Sequence, residues 1–286
     1  MNYVFYHANC TDGFGAAFAM WLGFGDSNAK YYPIGLYDAF PSELLEKITK
    51  DDTVYVLDFC FDPETLEKIQ ERSNLQVIDH HEGNLSKLSK VKSFIHSTTK
   101  SGALLAYEYM ESHKYYGDTN KTLFKYISDA DLWTFSLPSS KAISAFLKSY
   151  PKDFNIYYNV LLLFQKHFGG CVSQGEAIIR KVNDNVSYAC SNAYETTLEV
   201  NKAPIKVVAT NATSDWSEVG EELLKRHPNV DFSISYRYVK LASNVSHWEY
   251  SIRSRQSSFS CIDVAKFFGG SGHPTAAGFS SKDKLL

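Results

Sequence analysis

Cysteine is scarce in this 286-residue chain, with five residues (Cys10, Cys60, Cys171, Cys190 and Cys261), an odd number, widely spaced and never as Cys-x-x-Cys. That pattern excludes a secreted disulfide framework and leads us to expect reduced thiols in a cytoplasmic setting. Excess charge is also missing: Lys plus Arg is 29, Asp plus Glu is 32, and the net charge is −3. A protein that coats long duplex nucleic acid needs broad phosphate neutralisation, so that class is excluded, whereas a small phosphorylated ligand held by a few local cations is not. Long apolar runs are absent. The longest, Val-Leu-Leu-Leu-Phe-Gln around Leu162, falls far short of the roughly 20 residues that cross a bilayer. The opening residues MNYVFYHANC contain no basic segment followed by an apolar one, so no secretory signal is expected. Repeats and low-complexity tracts are lacking too. Aromatics, at 15% with 19 Tyr and 19 Phe, are plentiful, and 44% hydrophobic with 21% charged residues is globular composition, enough for one large or two ordinary domains.

Short apolar runs alternate with helical patterns in the first third. Tyr3 to His7 reads as a strand, with a helix from about Phe14 to Leu22. Val54 to Phe59 is a second run, followed by a helix beginning Pro63-Glu64-Thr65-Leu66. Leu75 to Asp79 is a third, leading into His80-His81. This alternation predicts βαβ units and a parallel sheet buried on both faces. From Lys100 to about Ala189 the pattern is helical and includes the segment NKTLFKYISDADLW. Beyond Tyr194 two strands surround a turn at Asn201 to Pro204, and Asp215-Trp216-Ser217-Glu218 has capping-box spacing before a helix. Two alternating strands and a short helix, Cys261 to Phe268, then lead into a glycine-rich stretch. A boundary near residues 185–194 divides the chain into domains 1–190 and 191–286.

Polar residues fall where chemistry is expected in such a fold. His7 and Asp12 follow the first strand, Asp58 ends the second, and Asp79, His80 and His81 end the third. Ligands of open α/β sheets bind at the carboxyl ends of strands, which would bring these groups within reach of one another. Carboxylates and imidazoles without thiolate clusters suit Mn²⁺, Fe²⁺ or Mg²⁺ better than a structural zinc site. Ser101-Gly102-Ala103 opens a helix and could aim backbone N–H groups at the same place, with an ordinary N-cap as the equal alternative. Trp21, Trp133, Trp216 and Trp248 read as packing residues.

The run Val77-Ile78-Asp79-His80-His81 resembles the signature of the DHH phosphoesterase superfamily. It occurs in order with His7-Ala8-Asn9-Cys10-Thr11-Asp12-Gly13, with Leu57-Asp58-Phe59 and with Ser128-Asp129-Ala130-Asp131. The stretch Gly269-Gly270-Ser271-Gly272-His273-Pro274-Thr275-Ala276-Ala277-Gly278 resembles the GGGHxxAAG motif of the DHH-associated C-terminal domain. The resemblance implies an α/β fold: a larger N-terminal domain with a parallel sheet flanked by helices, a smaller C-terminal α/β domain, and the active site in the cleft between them. It implies one or two divalent ions, usually Mn²⁺. Asp58 would bridge them, Asp12, His80 and Asp129 would complete one shell, and His7 would hold the other ion. Asp79 would orient His80, and His81 would face the substrate phosphate. Arg253, Gly269, Gly270, Gly272 and His273 would bind that phosphate or a terminal nucleotide.

Two departures from the family pattern matter. The common first motif is HxxxDxD, and this sequence has Cys10 and Asp12 in place of its two aspartates, with the spacing from His7 shortened by one. Either Cys10 contributes a thiolate, or the His7 site is weak or empty, or the Asn9 carbonyl substitutes. Ser271 replaces the middle glycine of the last motif. Of Asp129 and Asp131, the small-residue context favours Asp129, leaving Asp131 as a helix-end or substrate-side group. The expected activity is metal-dependent hydrolysis of phosphoester or phosphodiester bonds in nucleotides or short single-stranded oligonucleotides, with no membrane partner and a homodimer allowed. Pyrophosphate or polyphosphate hydrolysis and a catalytically silent nucleotide-binding module are the alternatives.

Overall fold

The computed structural model describes residues 1–35, 38–116, 121–240, 246–255 and 260–286. Two compact units divide the chain, Met1–Ile178 and Ile179–Leu286.

The first unit contains β1 (Asn2–His7), α1 (Thr11–Asn28), β2 (Ala29–Ile34), α2 (Ser42–Lys47), β3 (Thr53–Leu57), α3 (Pro63–Arg72), β4 (Asn74–Asp79) and β5 (Phe94–His96). Then come α4 (Gly102–Ser112), α5 (Thr122–Asp131), α6 (Ser140–Lys148), α7 (Phe154–Lys166) and the first part of α8 (Phe168–Ser191). Asn120, at the start of one expected helical segment, lies outside the described residues. All five strands are parallel, in the order β2-β1-β3-β4-β5. Alternation along each strand covers both faces: Val4, Tyr6, Tyr55, Leu57 and Ile78 pack with α1 and α4 through α7, while Tyr3, Phe5, Val54, Val56 and Val77 pack with α2 and α3. This is the doubly covered parallel sheet that near-continuous apolar strands require. After β1 the chain adds β2 on one side and resumes with β3 on the other, so a topological switch point lies between β1 and β3. A crevice forms at the carboxyl ends of strands at such a point.

α1 is longer than its apolar core suggested. It starts at Thr11 behind Cys10, whose extended backbone (φ −105°, ψ 144°) makes it the N-cap residue, and it is interrupted at Gly25 (φ 65°). Every residue from Asp12 to Met20 is buried, which fits a helix rich in alanine and phenylalanine that is enclosed all round.

In the second unit a mixed six-stranded sheet runs β10-β11-β9-β8-β7-β6. Its strands are β6 (Tyr194–Val200), β7 (Ala203–Asn211), β8 (Phe232–Lys240), β9 (Ser246–Ser254), β10 (Ser271–His273) and β11 (Ala276–Ser281), with helices α9 (Trp216–Arg226) and α10 (Cys261–Phe267). Among the described residues of this sheet only β7 and β8 pair in parallel. α10 packs with one sheet face, where Val264 and Ala265 join Ile234 and Ile252, and α9 packs with the other. Val186, Ala189 and Cys190, in the last turns of α8, join the α9 cluster. The expected turn between β6 and β7 is a two-residue hairpin with Asn201 (φ 52°) and Lys202 (φ 63°) both left-handed, the combination of a type I′ turn. The expected capping box does not form. Asp215 is the N-cap residue of α9 but is itself left-handed (φ 55°) and makes no cap hydrogen bond. Its carboxylate accepts instead from Ser214 Oγ (2.8 Å) and Asn185 Nδ2 (3.2 Å). Among the described residues no helix is long and apolar enough to cross a membrane.

Candidate metal centre

The donor groups read from the sequence converge at the β1/β3 switch point. His7 ends β1, Asp58 follows β3 and His80 follows β4, so parallel pairing alone brings these positions to one sheet edge. His7 Nδ1 lies 3.5 Å from Asp58 Oδ2, and His80 Nε2 lies 3.2 Å from Asp58 Oδ1, which places this carboxylate between two imidazoles. Asp58 takes up a left-handed backbone (φ 62°), uncommon for a non-glycine residue and typical of strained functional positions. His80 Nε2 is also 3.8 Å from Asp12 Oδ2 and 3.4 Å from Asp131 Oδ2.

Three overlapping donor groups result, each with its ligand atoms within 4.8 Å of one another: His7 with Cys10 and Asp58; Asp58 with His80 and His81; and Asp12 with His80 and Asp131. Asp58 belongs to two of them.

Asp12 is held from ninety residues away. The first turn of α4 donates Gly102 N–H to Asp12 Oδ2 (2.7 Å) and Ala103 N–H to Oδ1 (3.0 Å), so a helix N-terminus grips both oxygens. The neighbouring Ser101 N–H is anchored on Ser128 Oγ of α5 at 3.0 Å. Gly102 has to be glycine for this approach: a Cβ there would stand 2.8 Å from Asp58 Cβ and 3.0 Å from Asp12 Oδ2.

The electrostatics describe a site crowded with negative charge. Both oxygens of Asp58 are buried without a hydrogen-bond partner, and the residue is 1% exposed. Burial pushes its pKa up, but His7 and His80 outweigh burial and hold it well below the carboxylate range. Burial, then the charges of Asp58 and Asp131, push Asp12 well above that range, and burial with Asp58 raises Asp131 to about 6. The Cys10 thiol is driven far up by burial and by Asp58, Asp12 and Asp131. Every ion pair described for Asp12, Asp58 and Asp131 is with an imidazole, not with a Lys or Arg. Crowding three acids with so little compensation is costly unless something positive joins them. The donors therefore fit a divalent ion, and the oxygen-and-imidazole character suits Mn²⁺ or its neighbours.

Several sequence expectations meet a different geometry. Asp131, not Asp129, stands beside His80. Asp129 faces away, and its Oδ1 accepts from Thr134 Oγ1 (2.6 Å), Ser136 N (2.9 Å) and Ser136 Oγ (2.7 Å), with Leu137 N on Oδ2 (3.1 Å). Burial raises its pKa, but the Ser140, Thr134 and Ser136 hydroxyls outweigh that and hold it well below the usual range. Asp129 thus ties down the loop after α5, in which Trp133 (φ 57°) and Phe135 (φ 47°) are left-handed. Trp133, read from sequence as a packing residue, is 45% exposed. The helical phase carried the signal for Asp131, because Phe124, Ile127 and Asp131 follow i, i+3, i+7, and Ile127 lies against Gly15 of α1.

Asp79 likewise serves a different imidazole from the one expected. Its Oδ1 accepts from His81 Nδ1 at 2.8 Å and reaches His80 only through the backbone N–H, also at 2.8 Å, while Asn84 Nδ2 donates to Oδ2 at 2.7 Å. Burial lowers the pKa of His81, but the Asp79 contact more than reverses this and raises it to about 9.

The remaining expected residues lie in the second unit. Arg253 on β9 donates from Nη2 to Ser217 Oγ (2.8 Å) and from Nη1 to Ser251 Oγ (3.0 Å) and to the Ile252 carbonyl (2.9 Å), all neutral acceptors. Gly269 (φ 79°) and Gly272 (φ 147°) adopt backbone conformations that favour glycine, and a Cβ on Gly270 would sit 2.1 Å from the Gly278 carbonyl. Those glycines let β10 pair closely with β11, opposite Ala276, Ala277 and Gly278, and His273 lies in the same strand. Ser271 needs no left-handed backbone.

Residues 2–132 match the profile described as DHH family, N-terminal domain. An uncharacterized protein of Acanthamoeba polyphaga mimivirus is 29% identical over 299 residues, covering 98% of this chain and 67% of that protein. Among solved structures, an exopolyphosphatase-related protein from Bacteroides fragilis superposes with a TM-score of 0.53 at 17% identity, covering 99% of this chain and 87% of that one. RecJ of Thermus thermophilus in complex with Mn²⁺ gives 0.53 at 14% identity, covering 99% of this chain and 49% of that one. These two share the fold. Residues 2–132, which contain every donor of the cluster, therefore match the DHH family as its N-terminal domain and hold a candidate His/Asp metal site.

Proposed function

We propose that the protein is a divalent-metal-dependent phosphoesterase that hydrolyses phosphoester or phosphodiester bonds of nucleotides or short oligonucleotides. The observation that carries this reading is Asp58, buried at the switch point with both carboxylate oxygens unpartnered and an imidazole facing each. His7 and Asp58 would hold one ion, and Asp12, Asp58, His80 and Asp131 a second. Bound there, Mn²⁺ or a related ion supplies Lewis-acid polarisation of a phosphoryl oxygen and a water acidified enough to attack near neutral pH. The chain's own groups do the rest. Asp79 keeps His81 protonated, so that its ring can donate to a phosphoryl oxygen as negative charge grows there. The α4 N-terminus holds Asp12 in place throughout.

In this reading residues 1–190 are catalytic and residues 191–286 bind substrate. Arg253, whose described hydrogen bonds all go to neutral oxygens, supplies positive charge for a phosphate, with Gly269, Gly270, Gly272 and His273 as further contacts. A net charge of −3 supports a short substrate over a long duplex.

The test is turnover with added Mn²⁺ against a short RNA, a cyclic dinucleotide, a 3′,5′-bisphosphorylated adenosine and pyrophosphate, with Asp58→Asn as the control. Mononucleotide release that disappears in Asp58→Asn supports the reading. Action on pyrophosphate alone replaces it with the pyrophosphatase alternative. Tight nucleotide binding by Mn²⁺-loaded protein without any turnover replaces it with the silent binding module.

A further inference from the structure

The two ends of the Asp58 carboxylate do not face the same chemistry. Toward His80 the donors are oxygen and nitrogen alone. Toward His7 the group is His7, Cys10 and Asp58, with nitrogen, sulfur and oxygen atoms within 4.8 Å of one another. From this difference we infer that the His7–Cys10–Asp58 group is a seat for a thiophilic divalent ion of the Zn²⁺, Fe²⁺ or Co²⁺ class, bound through the Cys10 sulfur, so that the site takes two unlike ions. The inference rests on the metal-dependent reading above and specifies the ion for one half of it.

Three observations point the sulfur at an ion. Cys10 occupies the N-cap position of α1, yet its side chain makes no capping hydrogen bond, so the thiol is not committed to the helix. Asp58, in the same donor group, is an unpartnered carboxylate buried to 1% exposure. Among the described residues Cys10 is a free thiol, so no disulfide competes for it. Ligand softness then decides the occupant. A thiolate disfavours Mg²⁺ and Mn²⁺ relative to Zn²⁺, Co²⁺ and Fe²⁺, whereas oxygen and imidazole donors alone do not discriminate in that direction. On binding, the S–H bond gives way to a sulfur–metal bond and its proton passes to solvent.

Titration of the metal-stripped, full-length protein with Co²⁺ tests this without reference to activity. Stoichiometric binding is followed by equilibrium dialysis, and a sulfur-to-cobalt charge-transfer band is followed in the near ultraviolet. The band is expected in the wild type and absent in Cys10→Ser, which retains the other four cysteines. Loss of a direct ligand should weaken Zn²⁺ binding by at least about tenfold, no less than the loss of an outer-shell partner does. Cys10→Asp, the second variant, should lack the band and shift preference toward Mn²⁺, and this recovery shows that the site is still folded. Co²⁺ that binds the wild type without a charge-transfer band, or a band that persists in Cys10→Ser, overturns the inference and leaves the metal-dependent reading standing. Failure of the wild type to bind either Co²⁺ or Mn²⁺ overturns both.

Discussion

Gly102 is the residue on which the geometry of the site can be tested most sharply. Its N–H grips Asp12, and the space a side chain would need is already taken: a Cβ would sit 2.8 Å from Asp58 Cβ, 3.0 Å from Asp12 Oδ2 and 3.1 Å from Asp58 Oδ1. Asp58 Cβ is fixed to the backbone and both carboxylates are buried, so Gly102→Ala has to displace α4 or the carboxylates. Overpacking of this kind costs about 1–3 kcal/mol, and alanine's higher helix propensity returns up to about 1 kcal/mol. The net loss of about 0–3 kcal/mol lowers the melting temperature by at most roughly 12 °C in a unit of this size. Function should suffer far more. Misplacing reacting groups by about 1 Å can cost on the order of 100-fold in rate, or about 2.7 kcal/mol of transition-state stabilisation. We expect Gly102→Ala to remain folded by circular dichroism while its Mn²⁺ affinity falls at least about tenfold and its turnover about 100-fold. Calorimetric Mn²⁺ titration beside a thermal melt provides the check. A Gly102→Ala protein that binds Mn²⁺ as tightly as the wild type would refute the claim that α4 packs against and positions this carboxylate pair.

Asp129 and Asp131 should separate stability from metal binding. Asp129→Asn weakens charge-assisted hydrogen bonds to the 134–137 loop and should destabilise by about 2 kcal/mol in urea titrations, whereas Asp131→Asn should weaken Mn²⁺ binding with little change in the urea midpoint. Because the folded-state pKa of Asp129 lies below its unfolded value, its stabilisation is present above about pH 4 and disappears as pH falls below that value; the wild type should therefore lose stability there more steeply than Asp129→Asn, and parallel profiles would contradict this. Asp79→Asn removes the group that raises His81, so the His81 pKa falls and the alkaline limb of the kcat/KM profile moves to lower pH; an unmoved limb would rule out protonated His81 as the phosphate donor. In the second unit, Lys202→Gly relieves a left-handed lysine at a type I′ turn and should stabilise by about 0.5–1 kcal/mol in thermal melts, and an unchanged or lower melting temperature would contradict this.

Much of this protein follows from local patterns. Near-continuous apolar runs at Tyr3–Tyr6, Val54–Leu57 and Leu75–Ile78 specify strands buried on both faces, and the polar residue ending each run marks one edge of the sheet. His7, Asp12, Asp58 and His80 were legible as a converging set for that reason, because parallel strands carry their C-terminal residues to the same side. What depends on nonlocal packing was not legible. The strand order that puts the switch point beside β1, and the α4 N-terminus that grips Asp12, come from segments far apart in the chain. The choice between Asp129 and Asp131 turned on which side of α5 faces α1, and small neighbouring residues pointed to Asp129, whose carboxylate the fold binds to the 134–137 loop, because they describe space rather than direction. At Asp215 a correct capping spacing failed because Ser214 and Asn185 compete for the carboxylate. Side-chain chemistry and period are written residue by residue in the sequence, whereas orientation and partnership are decided only when the packed elements compete for the same atoms.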